Sequence, residues 1–293
     1  MGHILIVLSA LFFSLSSYFG KIVTNTTDMS GVITSFSRFL IGTIMMFLYI
    51  LISKKSFKAN DFKPIARRAI FNSFAIILLS SALNFTTMTN ANMLNMTYPV
   101  FVILLAPFIL KEKIKKSTYF YLIAIMLGSY IIADPQFGII NKGDLMGFGS
   151  SIMAGVSVLS LKEASNKNKG YLIVFYVMLI GTAINIPFSL EYIMNFDYSA
   201  LFIVVISGGL GFLAQVLLTE GYKFVDSSTG ALLSSSRIVM SAIIGIILLG
   251  EPLDLRIIIG IMLIGGSLVG LSGYFEKKKG LDISNKDIND WGK

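Results

Sequence analysis

The chain has 293 residues, of which 55% are hydrophobic and only 14% charged, and its mean hydropathy is +0.78. Soluble proteins carry about 25% charged residues, so this composition excludes an ordinary soluble domain and predicts a multi-pass membrane protein. The net charge of +8 does not indicate nucleic-acid binding, because the lysines flank apolar runs. With no cysteine and one histidine, His3, disulfides, thiolate or histidine metal centres and a Ser/His/Asp triad are excluded.

Ten apolar runs are long enough to cross a membrane as helices, which takes about 20 residues each. In chain order they are 4–23, 32–52, 65–86, 91–110, 118–133, 145–161, 171–190, 200–222, 228–249 and 255–274. The first run lacks the basic flank and the cleavage site of a secretory signal peptide, so we expect it to be retained as a span.

The basic residues are distributed unevenly between the two sides. Nineteen of the 24 lysines and arginines lie in the connections after spans two, four, six and eight or in the C-terminal tail, whereas three follow the odd-numbered spans. Because cytoplasmic loops carry the excess of basic residues, this pattern predicts a plasma-membrane protein with both termini in the cytoplasm. The two remaining arginines, Arg38 and Arg237, lie inside spans.

The two halves of the chain resemble each other when the sequence is shifted by 139 residues. Residues 40–43 then match residues 179–182, and Glu112 matches Glu251; positions related in this way are called repeat mates below. Each half has five spans, an odd number, so the second half must be inserted upside-down. The predicted fold is an all-α integral membrane protein of ten transmembrane helices in two inverted five-helix repeats, 1–139 and 140–275, followed by a polar cytoplasmic tail, 276–293. Such repeats place a binding site near the membrane midplane and support alternating access.

Three short segments carry a family resemblance. The Ser-Arg-Phe step at 37–39 and the Leu-Lys-Glu and Leu-Gly-Glu sequences at 110–112 and 249–251 resemble the EamA-type members of the drug/metabolite transporter superfamily. The resemblance extends to Tyr274. It implies that spans one, three, four, six, eight and nine surround a central cavity, with the other spans at the periphery. It also implies efflux or exchange of small metabolites, often amino acids or nucleotide-like compounds.

Arg237 is the most unusual residue of span nine. It lies about 14 Å along the helix, near the middle of a hydrocarbon layer about 30 Å thick, where a guanidinium costs at least about 3 kcal/mol and must face protein or water. Residues spaced by three or four share its helix face; they are Gly230, Ser234, Ser241 and Gly245. Close helix packing is the alternative explanation for the small residues, and it is the favoured one for Ser241 and Gly245. Arg237 either pairs with protein oxygens or binds an acidic group of a substrate.

Span four forms the opposite wall of the predicted site. Tyr98 is the repeat mate of Arg237, and the adjacent Pro99 is expected to kink the helix and free a carbonyl group. The predicted substrate-binding residues are Arg237, Tyr98, Asn95, Asn92, Ser234, Ser241, Gln215, Asn72 and Ser17. For the polar members, interhelical hydrogen bonding is the alternative interpretation. Arg38 is interpreted as structural or orienting, with substrate contact as the alternative.

The positions of the acidic residues and the absence of a nucleotide-binding motif bear on which energy source could drive transport. All 16 acidic residues lie in connections, in the tail or at span ends, so the intramembrane carboxylate typical of proton-coupled transporters is not predicted. There is no nucleotide-binding P-loop. We therefore predict a secondary-active exporter or exchanger of a small amino-acid-like, anionic or zwitterionic metabolite. The alternatives are a channel-like facilitator and an integral-membrane enzyme, which is the less favoured.

The predicted partners are a small-molecule substrate and the lipid bilayer, with no nucleic acid and no cofactor. The sequence leaves the oligomeric state open, and a monomer satisfies every pattern above.

Overall fold

A computed structural model describes residues 1–27, 29–82, 85–86, 88–135, 141–250 and 253–271, without the side chains at 80, 88, 89 and 249. The predicted tail, 276–293, the boundary between the predicted repeats and Glu251 lie outside these ranges. The helices are α1 Gly2–Thr26, α2 Gly31–Ile52, α3 Phe62–Ala82, α4 Met88–Asn95, α5 Tyr98–Ile109, α6 Lys116–Ala133, α7 Lys142–Lys167, α8 Gly170–Met194, α9 Leu201–Gly221, α10 Ser227–Ser234, α11 Ser236–Leu249 and α12 Leu255–Leu271, with a 3₁₀ turn, Tyr198–Ala200, before α9.

The ten predicted spans correspond to ten helical segments, because α4 with α5 forms span four and α10 with α11 forms span nine. Eight segments in the described ranges are long and apolar enough to cross a membrane. The other two are α12, an apolar helix of 17 residues, and α3, which carries Lys63, Arg67 and Arg68 in its first turns. The all-α membrane architecture predicted from the sequence is confirmed.

Some helix ends differ from the prediction. Span three was expected to reach residue 86, but α3 ends at Ala82. Span six was expected to end at 161, whereas α7 continues to Lys167. The additional residues are polar because they lie at a membrane surface, where Lys167 Nζ binds Asp61 Oδ2 at 2.9 Å.

The inverted repeat is visible in the packing of the helices. The pair α1–α9 corresponds by the repeat to the pair α7–α3, and α2–α8 and α6–α12 each join one helix to its own counterpart. The contact α5–α10 joins span four to span nine. At the α2–α8 contact, the hydroxyl groups of Thr43 and Thr182 lie 3.0 Å apart, and these residues are repeat mates. The pseudo-two-fold axis therefore passes beside this hydrogen bond.

Spans four and nine are both interrupted, at matching positions. The bounds of α4, 88–95, become those of α10, 227–234, when 139 is added. Pro99 lies in the first turn of α5 and explains the first interruption, as predicted. The second interruption, at Ser235, was not predicted. The expectation of one uninterrupted polar face along span nine is wrong, because α10 and α11 are separate helices.

The end of the bundle that carries the start of α1, here called the near end, is closed. Buried residues of α1, α3, α5, α7, α9 and α10 pack there into one apolar cluster that includes Ile6, Val102 and Ala231. Glu112, just after α5, fastens α10 to this cluster: its carboxylate accepts hydrogen bonds from Ser227 N, at 3.1 and 3.2 Å, and from Ser227 Oγ, at 2.7 Å. The opposite end is called the far end.

Candidate functional site

A cavity of about 270 Å³ lies between the two repeats. Residues of α1, α2, α3, α7 and α9 line it together with the interrupted spans four and nine. Seven of the nine predicted site residues lie in its wall; they are Arg237, Tyr98, Asn95, Ser234, Gln215, Asn72 and Ser17. Span two was expected at the periphery, but α2 contributes Thr34, Ser35 and Arg38 to the cavity wall.

Arg237 lies in the first turn of α11, directly after the interruption of span nine. Its Nη2 donates to Ser17 Oγ at 2.9 Å, and its guanidinium carbon lies 5.4 Å from the centre of the Phe13 ring. Ser14 Oγ donates to the Arg237 carbonyl at 3.1 Å. Two hydroxyl groups of α1 therefore bind the start of α11 and orient the arginine.

The opposite wall is formed by Asn95 and Tyr98, which flank the interruption of span four. Tyr98 Oη donates to the Ala231 carbonyl of α10 at 3.4 Å, and Asn95 Nδ2 donates to Ser150 Oγ of α7 at 2.9 Å. The hydroxyl hydrogen of Tyr98 and one of the two amide hydrogens of Asn95 are therefore used between helices.

The sequence analysis missed Arg68 as a cavity residue, because it was counted with the connection after span two. It lies in α3, is only 4% exposed and lines the central cavity. Its Nη1 donates to Ser157 Oγ at 2.6 Å, and the same hydroxyl donates to the Arg68 carbonyl at 3.0 Å. The repeat held a signal: the repeat mate of Arg68 is Ser207, an interior helix-contact position that exchanges hydrogen bonds with Ser16 at 2.7 and 2.8 Å.

Arg38 also points into the cavity instead of reaching the membrane surface. Its guanidinium carbon lies 5.1 Å from the Phe39 ring centre and 5.9 Å from that of Phe13. Gly211 makes room for it, because a Cβ atom at that position would lie 2.6 Å from Arg38 Cδ. Glycine at 211 therefore allows α2 and α9 to pack closely with the arginine between them.

The charged side chains in the cavity wall are all basic among the residues that the structure describes. Arg38, Arg68 and Arg237 line it, and none of the described aspartates or glutamates does. The ion pairs of the described residues involve other cations, at the helix ends. The acidic side chains at the helix ends have basic partners. For example, a hydrogen bond from Lys167 holds the pKa of Asp61 below its usual range. Across the described ranges, no group of three or more histidine, aspartate or glutamate side chains could hold a metal ion.

A second cavity, of about 430 Å³, opens towards the far end between α1, α4, α6, α11 and α12. Asn92 and Ser241, the two remaining predicted site residues, line this cavity and not the central one. The interruption at Ser235 separates Ser241 from Ser234, whereas Asn92 and Asn95 both belong to α4 and face different cavities. Three residues line both cavities and so lie between them; they are Ser17, Met96 and Arg237.

Comparison with known proteins agrees with this architecture. The model of the EamA-like transporter family matches residues 1–133 and again residues 141–273. An uncharacterized transporter of Clostridium kluyveri is 29% identical over 96% of each chain. The pseudopaline exporter CntI of Pseudomonas aeruginosa is 24% identical over 82% of this chain and 85% of its own.

A solved crystal structure that is only 14% identical superposes with a TM-score of 0.75, covering 94% of this chain and 98% of the other, and so has the same fold. The two family matches cover nearly all of the chain, one in each repeat. The chain therefore belongs to the EamA-like transporter family and is a membrane transporter rather than an enzyme.

Proposed function

We propose that this protein is a secondary-active exporter or exchanger of a small anionic or zwitterionic metabolite. The observation that carries the proposal is Arg237, which lines a central cavity to whose wall the described residues contribute no carboxylate. A guanidinium at this depth needs acceptors, and the described protein offers it the neutral hydroxyl of Ser17 and the ring of Phe13. An acidic group of the substrate completes its coordination.

The proposed binding site uses neutral groups around Arg237. Asn72 and Gln215 lie in the same cavity wall and provide amide hydrogen bonds. Ser17 shares its hydroxyl with Arg237, so a substrate that binds the arginine also reaches α1. Since Arg237 faces both cavities, it meets the substrate on the path between the far end and the centre.

Alternating access accounts for how the substrate crosses. The near end is closed by the contact between α5 and α10, and the far-end cavity lies between their repeat counterparts α11 and α4. If α11 and α4 came together as α5 and α10 do now, and α5 and α10 separated, the far end would close and the near end would open. With the basic residues concentrated at the near end, we place that end and both termini in the cytoplasm of a plasma-membrane protein.

Transport in proteoliposomes tests the proposal. A thermal-shift screen of the purified protein against metabolites identifies a ligand, because a ligand stabilises the state that it binds. Uptake of that ligand should be saturable and stimulated by the same compound inside the vesicles, which a channel does not show. Arg237→Gln should reduce uptake by at least about tenfold, since a hydrogen bond to a charged group contributes about 1.5–3 kcal/mol.

Arg67→Gln is the matched control, because Arg67 pairs with Glu163 and does not line the cavity. If Arg237→Gln transports as well as Arg67→Gln, the arginine is structural and the anion-binding role is rejected.

A further inference from the structure

We infer that the substrate carries at least two separate anionic groups, carboxylate or phosphate, and that Arg68 binds the second one. This inference rests on the proposed function and extends it from one acidic group to two. It starts from the number and placement of the cations in the cavity. Three different helices, α2, α3 and α11, each place one arginine in the same wall.

Two of these arginines share a neighbour. The guanidinium carbons of Arg38 and Arg237 lie 5.9 and 5.4 Å from the centre of the Phe13 ring. One ring therefore brings both cations to one region of the cavity, where a single acidic group can contact them together. Arg68 is not part of this arrangement, because its guanidinium is fixed to Ser157 of α7.

Arg68 Nη1 has an acceptor in Ser157 Oγ, but other buried donors around it have none among the described residues. They are Arg68 Nε, Gln215 Nε2 and the hydroxyl of Tyr222. These side chains are 4%, 5% and 0% exposed, and all three line the cavity. Buried donors of this kind are costly unless they are paired. A second anionic group would supply several oxygen acceptors at this part of the wall.

Charge balance leads to the same conclusion. A buried guanidinium is stable only when opposite charge or good hydrogen bonds compensate for the lost water. The described residues provide only neutral partners to Arg38, Arg68 and Arg237. One anionic group would leave two net positive charges in the cavity, whereas two groups leave one. The volume, about 270 Å³, limits the ligand to a small metabolite, since sites for drug-sized ligands start near about 300 Å³.

The experiment compares probes of equal length and different charge on the purified wild-type protein. The probes are succinate with two carboxylates, phosphoglycolate with one carboxylate and one phosphate, butyrate with one carboxylate, and 1,4-diaminobutane as a cation. Binding is measured by calorimetry and by thermal shift. The two acids with two anionic groups, called dianions below, should bind at least about tenfold more tightly than butyrate, the minimum for one additional charge-assisted contact. Comparing succinate with phosphoglycolate distinguishes carboxylate from phosphate as the second group.

A variant then assigns the second group to Arg68. Arg68→Gln keeps a polar side chain but removes the charge, so it should bring the affinity for the dianion down to that for butyrate while leaving butyrate binding unchanged. Arg67→Gln, the neighbouring residue of the same helix, should retain the full preference for dianions. The comparison within the wild type needs no variant and remains informative if Arg68→Gln does not fold.

The outcomes separate this inference from the proposed function. Binding of butyrate as tight as that of the dianions would overturn the second anionic group and leave the proposed anion transport in place. Binding of 1,4-diaminobutane alone, or of none of the acids, would overturn both. A preference for dianions that survives in Arg68→Gln would overturn the assignment to Arg68.

Discussion

The near and far ends of the bundle are built from the same repeat positions, but only the near end is closed. There, five residues on α5 and α10 are completely buried; they are Val102, Ile103, Ala106, Ala231 and Leu232. Their repeat mates line the far-end cavity on α11 and α4; they are Ser241, Ala242, Gly245, Asn92 and Met93. The inverted repeat thus provides two closing surfaces, and the structure shows one of them closed and the other open.

The two surfaces also differ in chemistry. Ala231 at the near end corresponds to Asn92 at the far end, and Val102 corresponds to Ser241. Closing the far end would bury the Asn92 amide, which costs free energy unless it finds hydrogen-bond partners. It would also bury the Ser241 hydroxyl, which already lies 3.0 Å from Ser14 Oγ. Closing the near end buries apolar side chains only at these positions. This difference explains why the near end is the closed one.

The largest expected effect is a difference in cysteine labelling between the two ends. The chain has no cysteine, so Ala242→Cys and Ile103→Cys each introduce a single thiol at matching repeat positions. In detergent, a water-soluble maleimide should label Ala242→Cys at least about 100-fold faster. Position 103 reacts only when the near end opens, and an opening free energy of about 3 kcal/mol slows labelling by that factor.

Both variants should label equally after denaturation, which is the control for intrinsic thiol reactivity. Equal labelling rates in the folded protein would mean that both ends open to the same extent, which would contradict a closed near end beside an open far end.

A smaller effect is expected when the near end is weakened. Glu112→Ala removes the carboxylate that binds the backbone and hydroxyl of Ser227. Losing a side-chain partner at a helix N-terminus costs about 0.5–2 kcal/mol, so labelling of Ile103→Cys should become roughly tenfold faster. Glu220→Ala is the control, because Glu220 pairs with Lys223 in a partly exposed i,i+3 contact. An equal acceleration by both variants would show a general loss of stability instead of near-end opening.

The smallest effect is expected from making the far end resemble the near end. Asn92→Ala combined with Ser241→Val copies the near-end residues Ala231 and Val102 onto the far-end surface. Closing the far end then buries less polar surface and costs less free energy, so the closed form is more populated. Labelling of Ala242→Cys should therefore slow by about threefold, equivalent to about 0.6 kcal/mol. Faster labelling of this variant would contradict the role given to the polar residues.

Much of the fold could be predicted from the sequence, because hydropathy and the repeat are both encoded along the chain. Pro99 also predicted the interruption of span four. Its repeat mate is Ile238, an ordinary helix residue, so nothing local predicts the interruption at Ser235. That break follows from the packing of α10 against α5 and of α11 against α1.

The site was less predictable for a related reason. Counting basic residues near span ends assigns Arg68 to the surface, whereas the packing of α3 against α7 turns it inward. Ser241 was placed with Ser234 because helical spacing assumes an unbroken helix, but the interruption at Ser235 separates them. Asn92 and Asn95 share the unbroken helix α4, yet they line different cavities, because three residues turn a helix by about 300° and not by a full turn.

The hydrogen bond between Thr43 and Thr182 has a consequence for how such a chain could arise. A contact between the same position of two copies is isologous, the kind made in a two-fold symmetric homodimer. Two separate five-helix chains would make it only if one of them were inserted upside-down, so an ancestor of this kind must have had dual topology. Joining the copies in one chain fixes their relative orientation. After that, Arg68 and Ser207, or Arg237 and Tyr98, can differ, and a symmetric pore lining becomes a one-sided cationic site.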